Sequence, residues 1–242
     1  MQACTTETFF NNQVTLIQPR HGYRFSMDPV ILSSQVLPRP GEQILDIGTG
    51  AGIMPLILGF RNPDVRITGI EIQKELVGLA RENIRINAMD DRITILNRDI
   101  RTLSRDEIKG PVHRIIANPP YTRLGSGRIN PDLQKAIARH ELELTLRDLA
   151  KALGRLLDDN GSCHIIYPSA RKSELISELA GHGIQTLWIR HIHPKIGRES
   201  KRLLLAGAKV SEQINPCRVL PPLALCDEQG RITDEVQEMF RS

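Results

Sequence analysis

The sequence predicts a doubly wound α/β fold on a mostly parallel sheet, closed at its C-terminal edge by an antiparallel pair. Three observations carry that expectation. Short Ile/Val/Leu-rich runs alternate with amphipathic stretches of helical period, a glycine-rich turn follows the first clear run, and the last two runs have no long helix between them. Such runs suit strands covered on both faces and joined by right-handed crossovers. With 242 residues the chain is long enough for a single domain of this kind. Periodicity divides it into an N-terminal arm and helix (1–41), a core (42–210) and a tail (211–242).

Taken in order, Asp28-Pro29 reads as a helix cap followed by proline at the first helical position. Strands are expected at Gln43–Gly48, Arg66–Glu71, Arg92–Leu96, Val112–Asn118 and Ser162–Tyr167. Lys74–Ala88 is apolar at Leu76, Val77, Ala80 and Ile84. Leu142–Leu157 is apolar at Leu142, Leu146, Leu149, Leu153 and Leu156. Both fit a helix with one buried face. Ile184–Ile192 and Arg202–Val210 form the closing antiparallel pair. The tail, with Pro216, Pro221 and Pro222, is expected to lie along the surface.

Hydrophobic residues at 40% and charged residues at 25% are ordinary for a soluble globular protein. Charges interrupt every apolar stretch, so no membrane span is expected. The start, Met1 to Glu7, has neither a basic segment nor an apolar core, so no secretory signal is expected and a cytoplasmic location is. Cys4, Cys163, Cys217 and Cys226 include no Cys-x-x-Cys pair, and no ligand-spaced histidines accompany them, so free thiols are expected and a metal is not. The net charge of +4 permits a polyanionic partner without requiring one. The oligomeric state is left open.

Ile44-Leu-Asp46-Ile-Gly48-Thr49-Gly50-Ala-Gly52 places glycines at a strand-to-helix turn, where they allow positive φ and close approach of a ligand to the backbone. A dinucleotide fingerprint would put its third glycine at position 53, which is isoleucine. Asp46 at the strand's end would oppose a pyrophosphate but suits a ligand bearing an ammonium and a sulfonium. Glu71 before Ile72 ends the next strand, where a carboxylate accepts both hydroxyls of a ribose. Asp99 ends the third, placed to accept an adenine amino group while Ile100 packs on the ring. The bland reading, a tight turn with solvated acids, does not account for acids at three successive strand ends.

Asn118-Pro119-Pro120-Tyr121 ends the fourth strand, at the edge where open parallel sheets bind ligands. An exocyclic amine or an amide is a poor nucleophile because its lone pair is delocalised. Two acceptors, the Asn118 side-chain oxygen and the Pro119 carbonyl, favour a pyramidal nitrogen whose lone pair is free to attack a methyl group in line. Consecutive prolines hold that carbonyl, and Tyr121 stacks on a flat substrate. The same four residues also make a good surface turn.

With the glycine loop and the Asn-Pro-Pro-Tyr run about seventy positions apart, the chain resembles the class I S-adenosylmethionine-dependent methyltransferases of the Asn-Pro-Pro-Tyr group, from about Phe25 to Lys209. Within that group it is most similar to the bacterial tRNA1(Val) adenine N6-methyltransferases, which modify the adenine 3′ of the anticodon. Tyr23 to Asp28, His140-Glu141 and Leu203 to Lys209 carry this finer likeness. The resemblance implies a Rossmann-like methyltransferase sheet and S-adenosylmethionine as cofactor. Asp46, Gly48, Thr49, Gly50, Gly52, Glu71, Ile72, Asp99, Ile100 and Asn118 would form the cofactor site. Asn118, Pro119, Pro120 and Tyr121 would hold the target amine.

Three basic groups accompany these motifs. Arg190 to Arg202 includes Lys195, Arg198, Lys201 and Arg202. Arg123, Arg128, Lys135 and Arg139 follow the amine-gripping run, and Arg20 and Arg24 lie in the N-terminal arm. Any one of them reads as a solvated face; three groups flanking one pocket point to RNA, a tRNA by the resemblance. His191 and His193, one residue apart with no acid cluster, make a weak case for a metal. Two rivals remain: a protein glutamine N5-methyltransferase, because the same grip serves an amide, and a non-catalytic RNA-binding version of the fold.

Overall fold

The structure, a computed structural model, describes residues 4–19, 27–119, 144–209 and 216–241. A hairpin of β1 (Cys4–Phe9) and β2 (Val14–Pro19) precedes α1 (Asp28–Ser34). The alternating part runs β3 (Gln43–Ile47), α2 (Ile53–Arg61), β4 (Arg66–Glu71), α3 (Lys74–Ile86), β5 (Ile93–Asn97) and β6 (Arg114–Ala117). Then come α4 (Leu146–Leu156), β7 (Ser162–Pro168), α5 (Lys172–Gly181), β8 (Ile184–His193), β9 (Arg202–Lys209), β10 (Arg218–Ala224) and α6 (Asp234–Glu238).

Eight strands share one sheet in the order β10-β8-β9-β7-β6-β3-β4-β5. β9 alone runs against its neighbours, β7 and β8. β7 and β8 therefore point the same way as β3 and β6, so the β8–β9 connection lies on the edge where β3, β4 and β6 end. Side chains alternate between two cores. Ile44, Ile67 and Ile116 pack with α1, α2 and α3; Leu45, Ile47 and Ile115 pack with α4 and α5. The expected strands and both long helices are present, and the antiparallel pair sits where periodicity placed it.

Three details depart from the sequence reading. The N-terminal arm contains the β1–β2 hairpin, whose Phe10 is 4% exposed and stacks on Phe60 at 5.0 Å between ring centroids. The tail is not a surface strand of coil: β10 pairs parallel to β8 outside the antiparallel pair, and Val236 of α6 is buried. Pro221 and Pro222 fit there because β10 is an edge strand with a register shift between Leu220 and Leu223, so the missing N–H groups cost little. Asp28 is the first helical residue rather than a cap; no side-chain cap of α1 occurs among the described residues, and Asp28 meets Arg202 at 3.4 Å.

Gly154 of α4 marks a close approach between helices. A Cβ there would lie 2.5 Å from the His182 carbonyl oxygen, which is backbone and cannot swing away. Alanine favours a helix interior by about 1 kcal/mol over glycine, whereas overpacking costs about 1–3 kcal/mol. Gly154→Ala should therefore lower stability in a denaturant titration, despite its better helix propensity.

Candidate active site

β3 and β6 are parallel neighbours, and their register ends with Ile47 opposite Ala117. The next residue on one strand is Gly48 and on the other Asn118, so the glycine loop and the amine-gripping run leave the sheet side by side. This is the switch point of the fold: from β3 the chain winds to β4 and β5, then returns to lay β6 on the other side. A cleft opens here, lined by Gly48, Thr49, Ala51, Met54, Asn118 and, from the hairpin, Leu16 and Gln18.

The loop is fixed from beneath. Gly48 and Thr49 donate their N–H groups to the Ile70 carbonyl at 2.9 and 3.0 Å. Gly50 donates to Glu71 Oε2 at 3.0 Å, and Gln73 donates to Oε1 at 2.9 Å. The 2%-exposed Glu71 thus joins the loop to the start of α3. Each oxygen keeps a lone pair for a further donor. Gly52, with φ +85°, turns the chain into α2, and a Cβ there would press on Ala80 at 3.3 Å. Gly69 in mid-strand makes room for Thr49; a Cβ would meet that side chain at 3.0 Å.

Asp46 is fully buried, and beyond the Thr49 hydroxyl beside it, which is not placed for a well-formed bond, no donor among the described residues reaches its carboxylate oxygens. Burial pushes the Asp46 carboxyl up to about 7, with the nearby Thr49 hydroxyl opposing and the Glu71 charge adding to the rise. A buried acceptor pair beneath a glycine loop is what a ligand carrying an ammonium requires, so these residues fit the methionine end of S-adenosylmethionine.

The other expected residues are placed as follows. Ile72 is half-buried and Ile100 is buried at 6% exposure. Asp99 is on the same edge, but both oxygens are gripped by Arg101, whose Nε donates to Oδ1 at 3.0 Å and whose Nη2 donates to Oδ2 at 2.5 Å, which holds the carboxyl below its usual range. Pro119 is buried behind Asn118. Pro120, Tyr121, Arg20, Arg24, Arg123, Arg128, Lys135, Arg139 and His140-Glu141 lie outside the described residues. Lys195, Arg198 and Lys201 follow β8 on the ligand edge, and Arg202 opens β9 opposite Pro168 of β7. His191 Nδ1 meets Ser200 Oγ at 3.1 Å and His193 Nδ1 meets the Arg198 carbonyl at 2.6 Å. Among the described residues no cluster of three metal-ligating side chains occurs, and no helix is long and apolar enough to cross a membrane. The sequence reading missed the hairpin wall, Leu16 and Gln18, because nothing local ties residues 14–19 to a loop that begins only at Gly48.

Asp46 generates a pH dependence. The unfolded carboxyl ionises near 3.8 and the folded one near 7, so its burial weakens folding as pH rises through that window. A bound ammonium selects the ionised form, so affinity for S-adenosylhomocysteine should fall, by up to about tenfold per pH unit, below roughly pH 7. Asp46→Asn should remove that dependence, weaken binding at neutral pH and raise the thermal midpoint of the free protein there. Calorimetric titration across the window, with thermal unfolding alongside, checks all three.

Comparisons with known proteins agree with this geometry. The family model described as methyltransferase small domain matches residues 29–167. A protein of Tolumonas auensis named tRNA1(Val) (adenine(37)-N6)-methyltransferase is 31% identical over 82% of this chain and 81% of its own. A protein of the same name from Phocaeicola vulgatus is 31% identical, covering 82% of each. Among solved structures, one described as a predicted O-methyltransferase from Agrobacterium tumefaciens superposes with a TM-score of 0.69 over 88% of this chain and 96% of its own, at 23% identity. Geranyl diphosphate C-methyltransferase from Streptomyces coelicolor, solved with S-adenosyl-L-homocysteine, gives 0.55 over 76% and 80%, at 14% identity, a likeness of fold. The chain belongs to the methyltransferase small domain family and is an S-adenosylmethionine-dependent N-methyltransferase.

Proposed function

We propose that the chain methylates the exocyclic N6 of an adenine in RNA, and that the target is an unpaired adenine of a tRNA anticodon loop, of valine type. The observation that carries the reading is the pairing of Asn118 with the glycine loop across the switch point, in one cleft. Asn118 Oδ1 and the Pro119 carbonyl accept the two hydrogens of the amine and draw its lone pair out of conjugation. The nitrogen forms its bond to the methyl carbon as the carbon–sulfur bond breaks, leaving a neutral thioether. The amine becomes acidic as it gains the methyl, so its proton passes to water without a strong base.

Lys195, Arg198 and Lys201 support a polyanionic substrate, since they stand on the same edge with no ion-pair partner among the described residues. The names of the relatives support a tRNA. Tyr121, in this reading, stacks on the base. A cytoplasmic location and a single methyltransferase domain belong to the same proposal.

Asn118→Ala should cut turnover by about 10²–10³, beyond any loss of affinity for S-adenosylhomocysteine, the usual loss when one preorganised polar group leaves a transition state. A variant keeping a third of wild-type turnover would make the run a mere turn.

The substrate is tested with one RNA hairpin carrying the adenine either in its loop or paired in its stem. Extruding a paired base costs a few kcal/mol, so the loop form should be methylated much faster. Equal rates, or transfer to a release-factor glutamine peptide instead, would overturn the RNA reading. Mass spectrometry of nucleosides from a deletion strain then identifies the RNA, by the loss of N6-methyladenosine.

A further inference from the structure

The β1–β2 hairpin forms one wall of the cofactor cleft, yet it belongs to a separate two-stranded sheet. Its attachment is unusual. Asn83 of α3, fully buried, accepts from the Ile17 N–H at 2.7 Å through Oδ1 and donates to the Ile17 carbonyl at 2.8 Å through Nδ2. One turn on, Asn87 does the same for Thr15, at 2.9 and 2.7 Å. Each side-chain amide thus stands in for one residue of a neighbouring strand. The spacing fits: four helical residues rise about 6 Å, and two strand residues about 6.8 Å.

The two asparagines differ in one respect. Asn83 Nδ2 also donates to the Ala51 carbonyl at 2.9 Å, whereas the further acceptor of Asn87 Nδ2 is the Asn83 carbonyl at 2.7 Å, within α3. Ala51 lines the cleft from the glycine loop, and Ile17 lies between Leu16 and Gln18, which line it from the hairpin. One buried NH₂ group therefore holds both walls at once, one hydrogen to each.

We propose that Asn83 is a positioning residue of the cofactor site, setting the separation of the hairpin wall from the glycine loop, and that Asn87 only docks the hairpin. The cleft residues are backbone-anchored on both sides through this amide, so its loss lets Leu16 and Gln18 drift from Gly48 and Thr49. It also leaves two part-buried carbonyls, of Ile17 and Ala51, without their donor. The inference rests on the cofactor site and is independent of which amine is methylated.

The test compares Asn83→Ala with Asn87→Ala, by thermal unfolding and by calorimetric titration with S-adenosylhomocysteine, each well below the variant's own midpoint. Both should unfold earlier. Asn83→Ala should bind about tenfold more weakly, the loss expected for one well-placed buried hydrogen-bonding group. Asn87→Ala should stay within about twofold of wild type by the same scale. Equal losses of affinity in the two variants, or none in either, would reduce Asn83 to a structural tie and overturn the proposal. Should Asn83→Ala fail to fold, Asn83→Asp and Asn87→Asp carry the same comparison, since each keeps the size and the acceptor for the hairpin N–H but loses the NH₂ that donates to the hairpin carbonyl and, at Asn83 alone, to Ala51.

Discussion

The return of the chain from β5 to β6 is the constraint on which the site depends. β3 to β4 and β4 to β5 cross over through α2 and α3, which pack in one core, whereas α4 and α5 pack in the other. Two parallel neighbours whose helices leave on opposite faces cannot close the space above their ends. The register of Ile47 with Ala117 then decides what faces that space: a glycine on one side and an asparagine on the other. Donor and acceptor ends of a transfer reaction meet because of strand order, before any side chain is specialised.

Charge on the ligand edge is divided by the same switch point. Toward β4 and β5 stand carboxylates held by neighbours, Glu71 by the N–H groups of Gly50 and Gln73, and Asp99 by Arg101. Toward β8 and β9 stand cations, of which Arg202 is drawn to Asp28, while half-buried Lys195 and exposed Arg198 and Lys201 make no ion pair among the described residues. A carboxylate whose lone pairs face N–H groups is rigid and specific. A solvated lysine is adaptable and acts as a point charge. The first kind of group suits a small ligand of fixed shape, and the second a backbone of repeating phosphates.

What was legible in the sequence is what local pattern encodes. The runs at 43–48, 66–71 and 162–167 declare themselves because both faces of those strands are covered, so Ile and Leu recur on both faces rather than at alternate positions. Acids and glycines at their ends declare the site for the complementary reason: nothing in a buried sheet calls for Asp46 or Gly48 except a ligand. β2 was not legible because its outer edge is satisfied by two side-chain amides sixty-six or seventy-two positions away, and Asn83 and Asn87 read as ordinary polar residues of a helix. β10 was hidden by Pro221 and Pro222, which argue against any strand except an edge strand with a register shift. The engagement of Asp99 by Arg101 was also out of reach, since it depends on a side-chain conformation rather than on spacing.

Asp46 and Asn83 show two answers to one problem, that of a buried polar group. Asn83 is completed by the protein, with its acceptor and both its hydrogens committed. Asp46 is left incomplete, with neither oxygen held in a well-formed hydrogen bond among the described residues, beneath a loop whose Gly48, Thr49 and Gly50 N–H groups are already spent on Ile70 and Glu71. A core polar group that satisfies itself confers uniqueness on a structure; one that does not confers demand for a partner. The two are physically joined, because the Ala51 carbonyl that Asn83 holds belongs to the loop that roofs Asp46. The finished network therefore keeps the unfinished one in shape, and binding energy from the cofactor need not be spent on ordering the loop.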